Sequence, residues 1–215
     1  MPKISLKGKN LPTSPIRKLS KYASDAKAKG IDVIHLNIGQ PDIETPAKAL
    51  QAIQSFDKNV LAYGPSEGSL AYRQKMCSYF AKHNIEVQPD DILVTTGASE
   101  AIIMTLDCIT NEGDELIIPE PFYANYDTFA AACGVKVVPI SSTIDSNFSL
   151  PPIDVIEGKI NAKTRAIFIC NPNNPTGYVY SKKELNDLAT LVKKHDLFLI
   201  VDEVYREFIY DGAVH

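Results

Sequence analysis

Asn171-Pro172-Asn173-Asn174-Pro175-Thr176-Gly177, followed after a stretch of helical spacing by Phe198-Leu199-Ile200-Val201-Asp202-Glu203-Val204-Tyr205, decides the fold. The first piece reads as a tight turn that Pro172 and Pro175 stiffen, able to aim the Asn174 amide at a ligand. The second is an apolar strand that ends on a carboxylate and, three residues later, a phenol. Because Phe198 to Val201 are apolar without alternation, the strand is expected to be buried on both faces and central in its sheet. The two pieces read as two rims of one crevice.

Working outward, helical spacing near 46–56, 69–83, 99–110, 122–133 and 182–194 alternates with short apolar runs at 92–95, 115–118, 136–140, 165–170 and 198–201. That alternation predicts an α/β fold: a three-layer α/β/α sandwich around a mostly parallel sheet, incomplete at the C-terminal end. Ser181-Lys182-Lys183-Glu184 reads as a capping box, and Gly134 as a helix stop. Towards the N-terminus, 12–30 reads as an arm entering an amphipathic helix, with Ile16, Leu19, Tyr22, Ala23 and Ala26 on one stripe and Gly30 as its end. A short strand Val33-Ile34-His35-Leu36, a Gly39-Gln40-Pro41-Asp42 turn and Pro46 at a helix N1 position suggest a chain crossing between bodies. Residues 141–149 with Pro151-Pro152 look like a surface connection, and no linker interrupts 45–215.

Composition excludes several function classes. At 45% hydrophobic residues and a formal net charge of -4, the chain can pack a core and carries no basic footprint for nucleic acid or an acidic membrane surface. Cys77, Cys108, Cys133 and Cys170 form no C-x-x-C pair and no metal spacing with the histidines, so reduced thiols are expected. The first ten residues are polar and basic without an apolar region, and no apolar run spans a bilayer. A cytoplasmic location is therefore expected, with no membrane partner.

Ligands of open α/β sheets sit outside the carboxyl ends of the strands, where the candidate residues fall. Thr95-Thr96-Gly97-Ala98-Ser99-Glu100 joins a strand to a helix, so free N–H groups face an anion; an ordinary turn capped by Ser99 is the plainer alternative. Pro119-Glu120-Pro121-Phe122-Tyr123-Ala124-Asn125-Tyr126 makes a second such junction, whose aromatics also suit a core; Phe122 and Tyr126 are read as core. Asp202 at a strand end is costly to bury without a cationic partner: either a ligand cation or a structural salt bridge to Arg165 or Arg206. Tyr63, in Ala62-Tyr63-Gly64-Pro65-Ser66-Glu67-Gly68, suits a loop aromatic covering a glycine turn.

Taken together and in this order, these segments resemble the class I/II aminotransferases that depend on pyridoxal 5'-phosphate, with the fold-type-I architecture of aspartate aminotransferase. The resemblance runs roughly from residue 34 to residue 210. It implies that Gly97, Ala98 and Ser99 receive the cofactor phosphate, that Tyr123 stacks on the ring, and that Asp202 pairs with the protonated ring nitrogen. Asn174 and Tyr205 then address the cofactor's phenolic oxygen, and Gly39 with Asn174 the substrate α-carboxylate. Tyr63 matches a tyrosine that reaches the phosphate of a neighbouring subunit, which implies a homodimer with shared active sites. Residues 1–44 correspond to an arm with a small-domain segment, and 45–215 to the first part of the large domain.

The family's Schiff-base lysine is expected beyond His215, so the catalytic set is incomplete within this sequence. The implied reaction passes an amino group between an amino acid and a 2-oxo acid, and similarity favours an acidic amino acid. Two alternatives remain open: lyase or elimination chemistry on the same scaffold, and a non-catalytic half-domain that binds cofactor or a partner.

Overall fold

The computed structural model describes residues 2–12, 17–39, 41–57, 59–210 and 212. Ile16 of the expected stripe, Gln40 of the expected turn and His215 lie outside the described residues. The chain divides into two compact units, residues 21–95 and residues 1–20 with 96–215.

The first helices along the chain are α1 (Leu6–Asn10), α2 (Ser20–Ala28), α3 (Ala47–Gln54) and α4 (Leu70–Ala81). Five residues long, α1 is too short to leave a periodic signal, and a Ser5 side chain accepting the Gly8 N–H starts it. Pro46 stands at the N-cap of α3 rather than at N1; its carbonyl accepts the Ala49 N–H at 2.9 Å. Two expected strands are not in ladders. Residues 33–36 have Ile34 and Leu36 exposed and pair with nothing sheet-like among the described residues. Residues 92–95 bond a loop instead: the Val94 N–H donates to the Glu67 carbonyl at 3.1 Å. The approach is so close that a Cβ on Gly68 would lie 2.5 Å from Val94 Cβ, and Gly68 has φ +94°. Buried Arg73 of α4 ties this loop down, donating to the Gly68 carbonyl at 3.3 Å and the Pro89 carbonyl at 2.6 Å.

The second unit carries the sheet. Its elements run α5 (Ala98–Ile109), β1 (Glu115–Glu120), α6 (Asn125–Ala132), β2 (Lys136–Ser141), α7 (Ile153–Glu157), β3 (Thr164–Cys170), α8 (Lys182–Lys194) and β4 (Phe198–Asp202). All ladders are parallel and the strand order is β2-β1-β3-β4. The chain moves one way from β1 to β2 and the other way from β3 to β4, so the topological switch point lies between β1 and β3. Alternate residues of each strand face opposite layers. Leu116, Ile118, Ala166 and Phe168 pack with Ile102 and Leu106 of α5 and Tyr126 and Ala130 of α6. Ile117, Ile167 and Ile169 pack with Ile156 of α7 and Leu188 and Leu191 of α8. This is the expected three-layer sandwich.

The capping box forms as read: Ser181 Oγ accepts the Glu184 N–H, and Glu184 accepts the Ser181 N–H at 2.7 Å. The position of β4 is a correction. It lies at the edge of the described sheet, and Phe198 and Val201 are 55% and 36% exposed. The strands buried on both faces are the two inner ones, β1 from Leu116 to Pro119 and β3 from Ala166 to Cys170. An unalternating apolar run records a demand for cover on two faces; among the described residues the central strands β1 and β3 have both supplied.

Candidate functional site

The carboxyl ends of β1, β3 and β4 and the N-terminus of α5 open on one cavity of about 230 Å³. It lies by the switch point, where such sheets bind ligands. Gly97 is the N-cap of α5, in a conformation (φ +89°) that side chains resist, and a Cβ there would meet only open space. The glycine turns the chain so that Ala98 and Ser99 line the cavity with first-turn N–H groups, which no preceding carbonyl of the helix can accept. Glu100 folds back to accept the Thr96 N–H at 2.5 Å, so this carboxylate serves the turn itself.

The junction after β1 brings in Tyr123, half-buried, its phenolic oxygen accepting from the Asn125 side chain at 2.6 Å. The turn after β3 contributes Asn174. Its neighbour Asn171 is buried and accepts the Tyr180 N–H at 3.0 Å, while the Asn173 N–H bonds the Tyr178 carbonyl at 2.8 Å, closing the turn on itself. Asp202 ends β4 opposite Cys170, on the same sheet face as Phe168 and Cys170. Tyr205 follows, half on the cavity wall and 39% exposed.

Neither arginine considered as a structural partner holds Asp202. Arg165 pairs with Asp114 at 2.9 Å and Arg206 with Glu203 at 2.6 Å. Instead Asp202 Oδ2 accepts the Tyr126 phenol at 2.7 Å and Oδ1 accepts the Val204 N–H at 3.1 Å. The reading of Tyr126 as a core aromatic is therefore half the story: its ring is buried against Phe168, centroids 4.4 Å apart, and its hydroxyl serves the cavity. Burial pushes this phenol far above its ordinary range, with Cys170 and Asp202 adding to the effect, so it stays a proton donor. Burial raises the Cys170 thiol as well. Phe122 remains a packing aromatic, stacked on Tyr126 at 6.2 Å.

Ala98, Ser99, Tyr123, Asn174, Asp202 and Tyr205 thus meet around one space, with Gly97 next to Ala98 as the helix cap. Gly39 and Tyr63 belong to the other unit, where both are exposed. A larger cavity of about 520 Å³ lies beside Leu150 and α8, but its charged walls are already paired, Lys183 with Asp187 and Lys194 with Glu157, both at 2.6 Å. Among the described residues no His, Cys, Asp and Glu group is placed to hold a metal, and no helix is long and apolar enough to cross a membrane.

A parallel sheet with helices on both faces, and a switch-point crevice holding helix N–H groups at one end and a carboxylate at the other, defines a fold-type-I α/β domain. The family model for aminotransferase class I and II matches residues 31–215. Aspartate aminotransferase of Bacillus sp. (strain YM-2) is 35% identical over 96% of this chain and 53% of its own length. Aromatic-amino-acid aminotransferase 2 of Thermococcus litoralis is 37% identical over 93% of this chain and 51% of its own. Among solved structures, alanine aminotransferase from Pyrococcus furiosus superposes with a TM-score of 0.92 at 31% identity, covering 99% of this chain and 55% of that one. The chain belongs to the class I and II aminotransferase family, and it spans about half the length of the curated relatives it matches.

Proposed function

We propose that this chain is the N-terminal portion of a pyridoxal 5'-phosphate-dependent aminotransferase that passes an amino group between an amino acid and a 2-oxo acid. In this reading 1–44 form an arm with a small-domain segment and 45–215 the first part of the large domain. The observation that carries it is the convergence of the α5 N-terminus, Asn174 and Asp202 on one cavity. The donor set fits the cofactor. The free first-turn amides suit a phosphate, and a carboxylate set in hydrogen bonds without a basic side chain suits a ring cation. When bound, the cofactor supplies a carbonyl that captures an amino group and a ring that accepts electrons from the substrate α-carbon.

The chain's own residues then have separate tasks. Ala98 and Ser99, with Gly97 shaping their turn, anchor the phosphate; Tyr123 presents an aromatic face; Asp202 keeps the ring nitrogen protonated. Asn174 and Tyr205 donate to the phenolic oxygen. Gly39, together with Asn174, serves the substrate α-carboxylate, and Tyr63 a neighbouring subunit of a homodimer, as the family resemblance implies. The lysine that would bond the cofactor belongs to sequence beyond position 215.

Intact mass after borohydride reduction of the protein from its natural source tests this, because reduction fixes a lysine-bound cofactor permanently. A longer chain bearing one pyridoxyl group on a lysine past 215 is expected. A mass near 23.6 kDa without an adduct would refute the reading.

A further inference from the structure

We propose that Tyr126 is a positioning residue that acts through Asp202, fixing the orientation of the carboxylate that receives a ring N–H in the cavity. The inference rests on the cofactor reading above and adds a residue to it. Asp202 has two oxygens, and each has one protein donor: the Tyr126 phenol at 2.7 Å and the Val204 N–H at 3.1 Å. Two donors at opposite oxygens fix the plane of the group. The backbone donor comes with the strand end and would be present for any residue at 204. The phenol is the replaceable one, and it is brought from 76 positions away.

The surroundings leave this phenol little choice of acceptor. Its ring is 2% exposed and lies between Phe168 and Tyr123, the latter edge-on at 5.4 Å. The thiol of Cys170 is its other polar neighbour, but that thiol donates to the Pro172 carbonyl at 3.2 Å. Sulfur is a weak acceptor and the carboxylate a strong one, so the phenol proton goes to Asp202. The same Cys170 to Pro172 contact ties the end of β3 to the turn that bears Asn174. Donor, carboxylate and amide are thus set by one buried group of side chains beneath the cavity floor.

The test compares the apo full chain with Tyr126→Phe, which keeps the ring and its packing and removes only the hydroxyl. Affinity is measured by calorimetry for pyridoxine 5'-phosphate and for its carbocyclic counterpart, in which C–H replaces the ring nitrogen. The expected result is a loss of about ten-fold for the pyridine ligand, the scale of one hydrogen bond to a charged group. The carbocycle should bind both proteins alike, and adding Tyr126→Phe to Asp202→Asn should cost nothing further. Equal losses for both ligands, no loss for either, or a further loss in the Asp202→Asn background would overturn the proposal while leaving the cofactor reading in place. If the unmodified chain bound neither ligand, the cofactor reading would fail and this inference with it.

Discussion

The two faces of the sheet are built from the same strands and do different work. On the α7/α8 face, Ile117, Ile167 and Ile169 meet Leu188 and Leu191, almost wholly aliphatic, with Tyr180 as the one buried phenol. On the α5/α6 face, the core passes from Leu106 and Leu116 through Phe168 and Tyr126 to Cys170 and the wall of the cavity. Aliphatic packing can be dense without direction. Aromatic and polar packing costs more to satisfy and in return fixes where a hydrogen bond points. One face holds the sheet together, and the other converts that rigidity into the placement of a carboxylate.

Substitutions can separate the two roles. Phe168→Ala should destabilise the unit most, by about 3–5 kcal/mol, because it empties the centre of the α5/α6 face. It should also release the Tyr126 ring, so phosphorylated pyridine ligands should bind more weakly even to the folded fraction, which calorimetry below the melting transition would reveal. Leu188→Ala, fully buried on the other face, should cost about 2–5 kcal/mol in urea melts. Its folded fraction should keep the ligand affinity of the parent; a matching loss of affinity would mean that the faces are not independent.

Smaller effects lie at the rim of the α8 face. Glu184 caps α8 and also accepts the Leu150 N–H at 2.8 Å and the Tyr178 phenol at 3.1 Å. Burial alone would raise its pKa, but the bonds from Ser181 and Leu150 outweigh it and hold the carboxyl below its ordinary range. Glu184→Ala should cost about 1–2 kcal/mol, as loss of a helix cap does, and faster amide exchange at Leu150 would locate the damage. The smallest effect is Asp114, whose carboxyl is held low by the Asn111 N–H and by Arg165. Its folded pKa is depressed, so its contribution is present above the ordinary aspartate value of 3.8 and is lost as pH falls through the lower folded value. The Tm difference between the parent and Asp114→Asn should therefore be constant near neutrality and shrink only in that acid window.

The contrast between faces also explains what could be read in the sequence. Helices α2 to α6 and α8 and the four strands were legible because period and punctuation are local properties. The crevice was legible because glycine, asparagine and aspartate stood just past strand ends, and Asp202 in particular had no cheap reason to be there. Tyr126 was not, since a tyrosine on a helix face beside other aromatics looks like core, and the acceptor that gives its hydroxyl a purpose is 76 residues away. The competing partners of Asp202 were settled by space rather than pattern, Arg165 and Arg206 each having a nearer carboxylate. The run at 92–95 failed as a strand for the same reason: apolar composition names a preference, and the backbone took the Glu67 carbonyl it could reach.

The ladder between β3 and β4 places Cys170 opposite Asp202, and through it the cavity is tied to the reading of length along the strand. Successive residues point to opposite faces, so sliding β4 by a single position exchanges every side chain between the two layers. Shortening the strand by one residue would set Glu203 across from Cys170, still an acid but one methylene longer; lengthening it by one would set Val201 there, with no charge at all. The site should therefore tolerate lost and gained residues unequally, and an insertion in this strand would be silent in composition yet remove the carboxylate from the cavity wall.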